Sequence, residues 1–247
     1  MKSGGKGGRR TRTRYAEIAE GEGSRAGQPD PLAYAKSLGY SEADLNAVPA
    51  DAVTSHGCGN PVALAELRPG EIVLDLGSGG GLDAFVAAHL VGPTGRVIGV
   101  DASTEMVKRA DENAKKAGVE NVEFKQGLIE RLPLDDSSID VAVSNCVMNH
   151  CADKVLAFKE VCRVLKPGGR MCVSDLVTAG EFSEDALNDE VWGEWLKVAQ
   201  SRNDYLRAIE QAGFQEVRVE GEATFPMAEN DERLKGRITS MRITARK

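Results

Sequence analysis

From Ile72 to Asp175 the chain alternates short, continuous apolar runs with longer segments whose apolar residues recur every three to four positions. The short runs are Ile72–Leu76, Arg96–Asp101, Val122–Lys125, Ile139–Ser144 and Arg170–Asp175, and each predicts a buried strand. Leu82–Val91, Ser103–Ala117 and Lys154–Leu165 fall between them and predict helices. Ser103 is an N-cap, and Lys166-Pro167-Gly168-Gly169 is a stop signal after the last helix. This alternation predicts an α/β protein with a mainly parallel sheet. Further on, the pattern predicts a helix around Tyr205–Ala212 and strands at Val217–Glu220 and Thr239–Ala245. Upstream, Pro31 opens a helix at its first position, and Ser41 with Asp44 marks another N-cap. The glycine-flanked loop His56-Gly57-Cys58-Gly59-Asn60-Pro61 then leads into an apolar helical stretch reaching about Leu67.

Composition adds bounds rather than a function. The 247 residues are 41% hydrophobic and 28% charged, as in ordinary globular proteins. No apolar run approaches the ~18 residues of a membrane span, and none near the start resembles a secretory signal. Lys2, Lys6, Arg9, Arg10, Arg12 and Arg14 make residues 1–14 a basic leader, expected to be disordered. The rest holds 25 basic against 38 acidic residues, which argues against a nucleic-acid partner. Five cysteines, an odd number, point to a reducing, cytoplasmic setting rather than a disulfide scaffold. The expected organisation is leader 1–14, a helical and substrate-loop segment 15–67, a core 68–180, and a part 181–247 that completes the sheet and covers the site.

Chemistry concentrates at two places. Val73-Leu74-Asp75-Leu76-Gly77-Ser78-Gly79-Gly80-Gly81 puts a glycine-rich turn directly after the first strand, where backbone can approach a ligand closely. Leu82 displaces the third glycine of a dinucleotide fingerprint, and no Lys-Ser/Thr pair follows to make a P-loop. Asp101 ends the second strand, where a carboxylate can accept both ribose hydroxyls of an adenosine. With Lys166-Pro167-Gly168-Gly169, these features resemble the class I S-adenosylmethionine-dependent methyltransferases. The resemblance implies a Rossmann-like, seven-stranded fold and S-adenosylmethionine as cofactor. It further implies that Asp75, Gly77, Ser78, Gly79 and Gly81 surround the methionine moiety and that Asp101 holds the ribose. Met106 then lies over the adenine and Gly127 beside its edge, with Asn145 also in the cofactor set. Leu128 stands where that family often carries an acidic residue.

The second place is the thiols. Asp30-Pro31-Leu32-Ala33-Tyr34, Leu38-Gly39-Tyr40-Ser41, Gly57-Cys58-Gly59-Asn60-Pro61 and Ser144-Asn145-Cys146-Val147-Met148-Asn149 together resemble the arsenite methyltransferases of microbes. Cys58 lies in a loop before the cofactor region, and Cys146 at the carboxyl end of a strand, where open α/β sheets bind ligands. Thiolates suit soft trivalent arsenic, and its lone pair can take a methyl group without a general base. The resemblance therefore implies Cys58 and Cys146 as substrate ligands, a thiol reductant such as glutathione or thioredoxin, and a monomer. Cys162 and Cys172 read as core, and Cys151 is left open. His56 and His150 read either as tuners of a neighbouring thiol or as loop residues, and His89 as structural. The family's upstream cysteines are missing near Ser24–Gln28. The one after the fifth strand is missing too, from the segment Val191–Ala199, where Trp192 and Trp195 stand. That leaves three options: an exogenous third thiol, Cys151 as substitute, or a changed substrate. The rival readings are a carbon or oxygen methyltransferase of a small quinone- or polyketide-like acceptor, and a non-catalytic arsenic-binding protein.

Overall fold

A computed structural model of the chain describes residues 30–53, 57–189 and 192–247. The basic leader, the 24–28 region and His56 lie outside the described residues. Pro31–Ser37 (α1) starts with Asp30 accepting the Ala33 N–H, and Glu42–Asn46 (α2) carries the Ser41–Asp44 capping box. A 3₁₀ turn at Ala50–Ala52 follows, then Pro61–Leu64 (α3) capped by Asn60. The helical stretch expected to reach Leu67 ends at Leu64, because Glu66 turns into the left-handed region with φ of 46°.

Strands and helices then alternate: Ile72–Leu76 (β1), Leu82–Val91 (α4), Arg96–Asp101 (β2), Thr104–Ala117 (α5), Val122–Gln126 (β3) and Ile139–Asn145 (β4). Lys154–Val164 (α6) is capped by Asp153 and runs straight into Leu165–Thr178 (β5). The remainder comprises Glu184–Leu187 (α7), Gly193–Leu196 (α8), Arg202–Gln211 (α9), Gln215–Thr224 (β6), Pro226–Glu229 (α10) and Ile238–Arg246 (β7). The Lys166–Gly169 segment, read as a stop signal, lies inside β5. Leu165 already pairs with Ile139, and a register shift before Val141 absorbs the Pro-Gly-Gly.

The seven strands form one sheet in the order β3-β2-β1-β4-β5-β7-β6. The pairs from β3 to β5 are parallel, whereas β7 runs antiparallel to both β5 and β6. Alternate strand residues feed two cores. Val73, Val97, Val141, Val143 and Cys172 meet the α1–α5 side, including Phe85 of α4. Leu74, Ile98, Ala142 and Val173 meet Phe158 of α6 and Tyr205 of α9. A third cluster of Leu176, Leu196, Phe225, Leu234 and Ile238 sits beyond the carboxyl ends of the central strands and includes Cys58. No helix among the described residues is long and apolar enough to cross a membrane.

Candidate active site

The glycine turn is tied to β2 from both sides. Gly77 and Ser78 donate their N–H groups to the Val100 carbonyl at 2.8 and 3.2 Å. Gly79 donates to Asp101 Oδ2 at 2.9 Å, and Ser103 to Oδ1 at 2.8 Å. Gly77 is left-handed, with φ of 67°, and a Cβ there would lie 2.5 Å from Val147 Cγ2. A Cβ on Gly79 would meet nothing within 4 Å, so this part of the turn faces open space.

Asp75 is buried and its Oδ2 has no protein donor; Ser78 Oγ is likewise buried without a partner. Burial, followed by the neighbouring Asp83 and Asp101, raises the Asp75 pKa well above the usual carboxylate range. Asp101 is raised as well, mainly by burial. A ligand whose cationic amine and hydroxyls donate to these carboxylates matches the site, so the residues fit S-adenosylmethionine. Met106 is buried on α5, one turn beyond the Ser103 cap that holds its N–H. Gly127 donates to the Asp101 carbonyl, and a Cβ there would lie 2.8 Å from Pro133, so packing alone already demands glycine.

The two sequence-distant thiols meet. The sulfurs of Cys58 and Cys146 and a carboxylate oxygen of Asp175 all lie within 4.8 Å of one another. Cys146 follows β4 directly with φ of 61°, held by its N–H donating to the Ser174 carbonyl at 2.7 Å. Cys58 is gripped by neighbours from three directions. Asn145 Oδ1 accepts its N–H at 3.0 Å, Ser240 Oγ donates to its carbonyl at 2.5 Å, and Tyr34 Oη donates to the Gly57 carbonyl at 2.8 Å. Burial, then Cys146, then Asp175 push the Cys58 thiol far up, so it is protonated when empty.

Asp175 carries no sequence signal beyond its place near the end of an apolar strand. Its oxygens accept from Leu176 N (2.8 Å), Asn149 Nδ2 (3.0 Å), Tyr205 Oη (3.0 Å) and Asn149 N (3.3 Å). Two carboxylate oxygens offer about four acceptor sites, so this one is saturated. It is a fixed charge or proton beneath the thiols rather than a ligand to what they bind. Burial raises its pKa to about 6.

The other cysteines go elsewhere. Cys151 is buried in the core with Met148 and Phe158 and does not join the Cys58–Cys146 group. Burial and then Glu130 raise its pKa, which leaves it a poor thiolate. Cys172 is buried in β5 and pushed up to about 12 by burial. Cys162 packs against the α6 side of the sheet and is also raised by burial. His150 lies in the 3₁₀ turn Met148–His150, and His89 is exposed on α4. Trp192 and Trp195 pack edge to face at 6.0 Å, and Trp192 meets Phe225 at 6.2 Å; Phe225 shares a cluster with Cys58, and Cys146 and both tryptophans pack against that cluster.

Asn145, expected in the cofactor set, has its side chain committed to the thiol loop. Its amide nitrogen lies 2.8 Å from the Gly59 carbonyl, 3.1 Å from Tyr40 Oη and 3.2 Å from Asp83 Oδ2. Two N–H groups facing three partners leave no donor for a cofactor.

A profile for a methyltransferase domain matches residues 67–213. The arsenite methyltransferase of Halobacterium salinarum is 41% identical over 223 residues, which cover 84% of this chain and 57% of that protein. The arsenite methyltransferase of Aquipseudomonas alcaligenes is 41% identical over 172 residues, covering 66% of this chain and 49% of that one. The chain thus spans about half the length of the curated relatives it matches. Among solved structures, an arsenic(III) S-adenosylmethionine methyltransferase from Chlamydomonas reinhardtii superposes with a TM-score of 0.67 at 33% identity, over 89% of this chain and 74% of that one. Glycine turn, sheet order and these relatives agree, and the chain belongs to the class I S-adenosylmethionine-dependent methyltransferases, among which arsenite methyltransferases are its relatives.

Proposed function

We propose that the chain methylates trivalent arsenic held by the Cys58 and Cys146 thiolates. The observation that carries this reading is the pair of sulfurs, within 4.8 Å of one another, beside the strand end that follows the cofactor turn. Asp75, Ser78 and the glycines Gly77, Gly79 and Gly81 would hold the methionine end of S-adenosylmethionine, and Asp101 its ribose. Met106 and Gly127 would flank the adenine. When bound, the cofactor supplies an activated methyl group, which the arsenic lone pair takes without a general base. The chain's own task is positioning, a contribution of roughly 7–11 kcal/mol when two reactants are well aligned.

Arsenic binding forms As–S bonds as each thiol loses its proton with the departing oxygen or thiol ligand. Two protein thiols leave one arsenic valence for a group from outside. An arsenic species that already carries one methyl fills that valence itself, so methylarsenite is the favoured substrate. Arsenite needs a third thiol such as glutathione, and glutathione or thioredoxin is the reductant. Trp192, Trp195 and Phe225 give the substituent an apolar wall. The protein is proposed to act as a cytoplasmic monomer, with residues 181–247 covering the substrate.

Incubation with S-adenosylmethionine, glutathione and methylarsenite or arsenite, with chromatography of the products, tests this. Methylated arsenic is expected, with methylarsenite consumed faster. Cys58→Ser and Cys146→Ser are each expected to abolish turnover while S-adenosylhomocysteine affinity stays within about twofold, under ~0.4 kcal/mol. Methylation of an organic acceptor that survives loss of both thiols would overturn the arsenic reading.

A further inference from the structure

We propose that Asn145 is the positioning residue that sets the separation of the two thiols, a role resting on the two-thiol reading of the site. One amide grips both sides of Cys58. Its Oδ1 accepts the Cys58 N–H at 3.0 Å and its Nδ2 donates to the Gly59 carbonyl at 2.8 Å. The Cys58 loop is therefore held as if by a rung of a β-ladder, with a side chain in place of a neighbouring strand. Asn145 is also the last residue of β4 and the immediate neighbour of Cys146. Its backbone places one thiol and its side chain the other.

The orientation of that amide is fixed by its far side. Asp83 Oδ2 lies 3.2 Å from Nδ2, and Tyr40 Oη donates to Asp83 Oδ1 at 2.5 Å while lying 3.1 Å from the same Nδ2. A flipped amide would turn its oxygen toward the Asp83 oxygen and the Gly59 carbonyl, and its nitrogen toward the Cys58 N–H. Gly57 fits the same account, because a Cβ there would lie 3.0 Å from Asn145 Nδ2. Asp83 and Tyr40 thus orient the amide, and the amide orients Cys58.

The test uses phenylarsine oxide, which condenses with two thiols to form two As–S bonds, its oxygen leaving with both thiol protons as water. In the wild-type chain it should form a one-to-one adduct at Cys58 and Cys146, seen by intact mass and thiol count, that resists displacement by excess glutathione. Asn145→Ala should lose that adduct to glutathione at least about tenfold faster, because bidentate binding depends on the effective concentration of the second thiol. The rate at which N-ethylmaleimide modifies Cys146, and S-adenosylhomocysteine affinity, should both stay within about twofold, a split that general unfolding would not give. Tyr40→Phe removes only the hydroxyl that helps orient the amide, and should shift adduct loss in the same direction by less. Equal adduct retention in wild type and both variants overturns the positioning role. No two-thiol adduct in the wild type overturns it together with the arsenic reading.

Discussion

Cys146 holds a left-handed backbone, with φ of 61°, that side chains other than glycine seldom adopt. Such strain costs of order 1–3 kcal/mol and persists where the surroundings impose it. Here β4 and the Ser174 carbonyl impose it, and the result aims a thiol at Cys58. The glycines of the turn differ in what surrounds them, close packing at Gly77 and open space at Gly79. Gly77→Ala places a methyl against Val147 at a positive φ, and should destabilise the chain by about 1–3 kcal/mol in urea unfolding. Gly79→Ala has room around it, so it should lose only about 1 kcal/mol of stability, while S-adenosylhomocysteine titration shows a larger loss of affinity. Equal effects of the two on both measurements would contradict that division. Cys58, Cys146, Asp75 and Asp101 are legible as candidates because each sits in a local motif. Asp175 is not, since its meaning comes from Asn149 and Tyr205, which reach it only through the fold. Asn145 is legible as a candidate but its bond to Cys58 is not, because Cys58 lies 87 residues away along the chain.

The elements that hold the site differ in how clearly the sequence announces them. Apolar runs and N-caps marked β1, α4, β2 and α5 to within a residue or so, because burial on both faces of a parallel sheet leaves continuous apolar strands. β6 extends well past Val217–Glu220 because edge residues such as Gln215 and Thr224 pair with β7 while facing solvent, and so carry no apolar pattern. α7, α8 and α10 are single turns, too short for any periodicity to register. Their place is set instead by Arg233, whose guanidinium reaches Asp185, Asp189 and Asp231 and gathers the segment that carries the tryptophans. α6 depends on a local cap: Asp153 Oδ1 accepts the Leu156 N–H at 2.9 Å. Asp153→Ala should cost about 1 kcal/mol in urea unfolding and Asp153→Asn much less. Equal losses for the two would point to charge rather than capping.

Across the described residues, Asp75, Asp83, Asp101 and Asp175 stand around the site with their pKa values raised, chiefly by burial. Asp83 and Asp175 are each moved to about 6 by burial, and Asp75 is moved well up by burial and by Asp83 and Asp101. A carboxyl with a raised folded pKa binds more protons folded than unfolded, so its contribution is full below the unfolded pKa of ~4 and fades as pH rises through the folded value. The unliganded chain should therefore lose stability from Asp83 and Asp175 between pH ~4 and pH ~6, and from Asp75 toward higher pH, opposite in sign to the partly buried Glu71 paired with Arg170. The cofactor reading adds a second expectation. A cationic amine at the unpartnered Asp75 Oδ2 favours the ionised carboxyl, so ligand binding and Asp75 ionisation reinforce one another. Saturating S-adenosylhomocysteine, whose amine is charged throughout, should raise Tm more at pH ~7.5 than at pH ~5. In Asp75→Asn the ligand's Tm gain should be smaller and nearly independent of pH. A wild-type gain that is flat or falling with pH would remove Asp75 from the methionine end of the cofactor site and leave Asp101 and the glycine turn to account for binding.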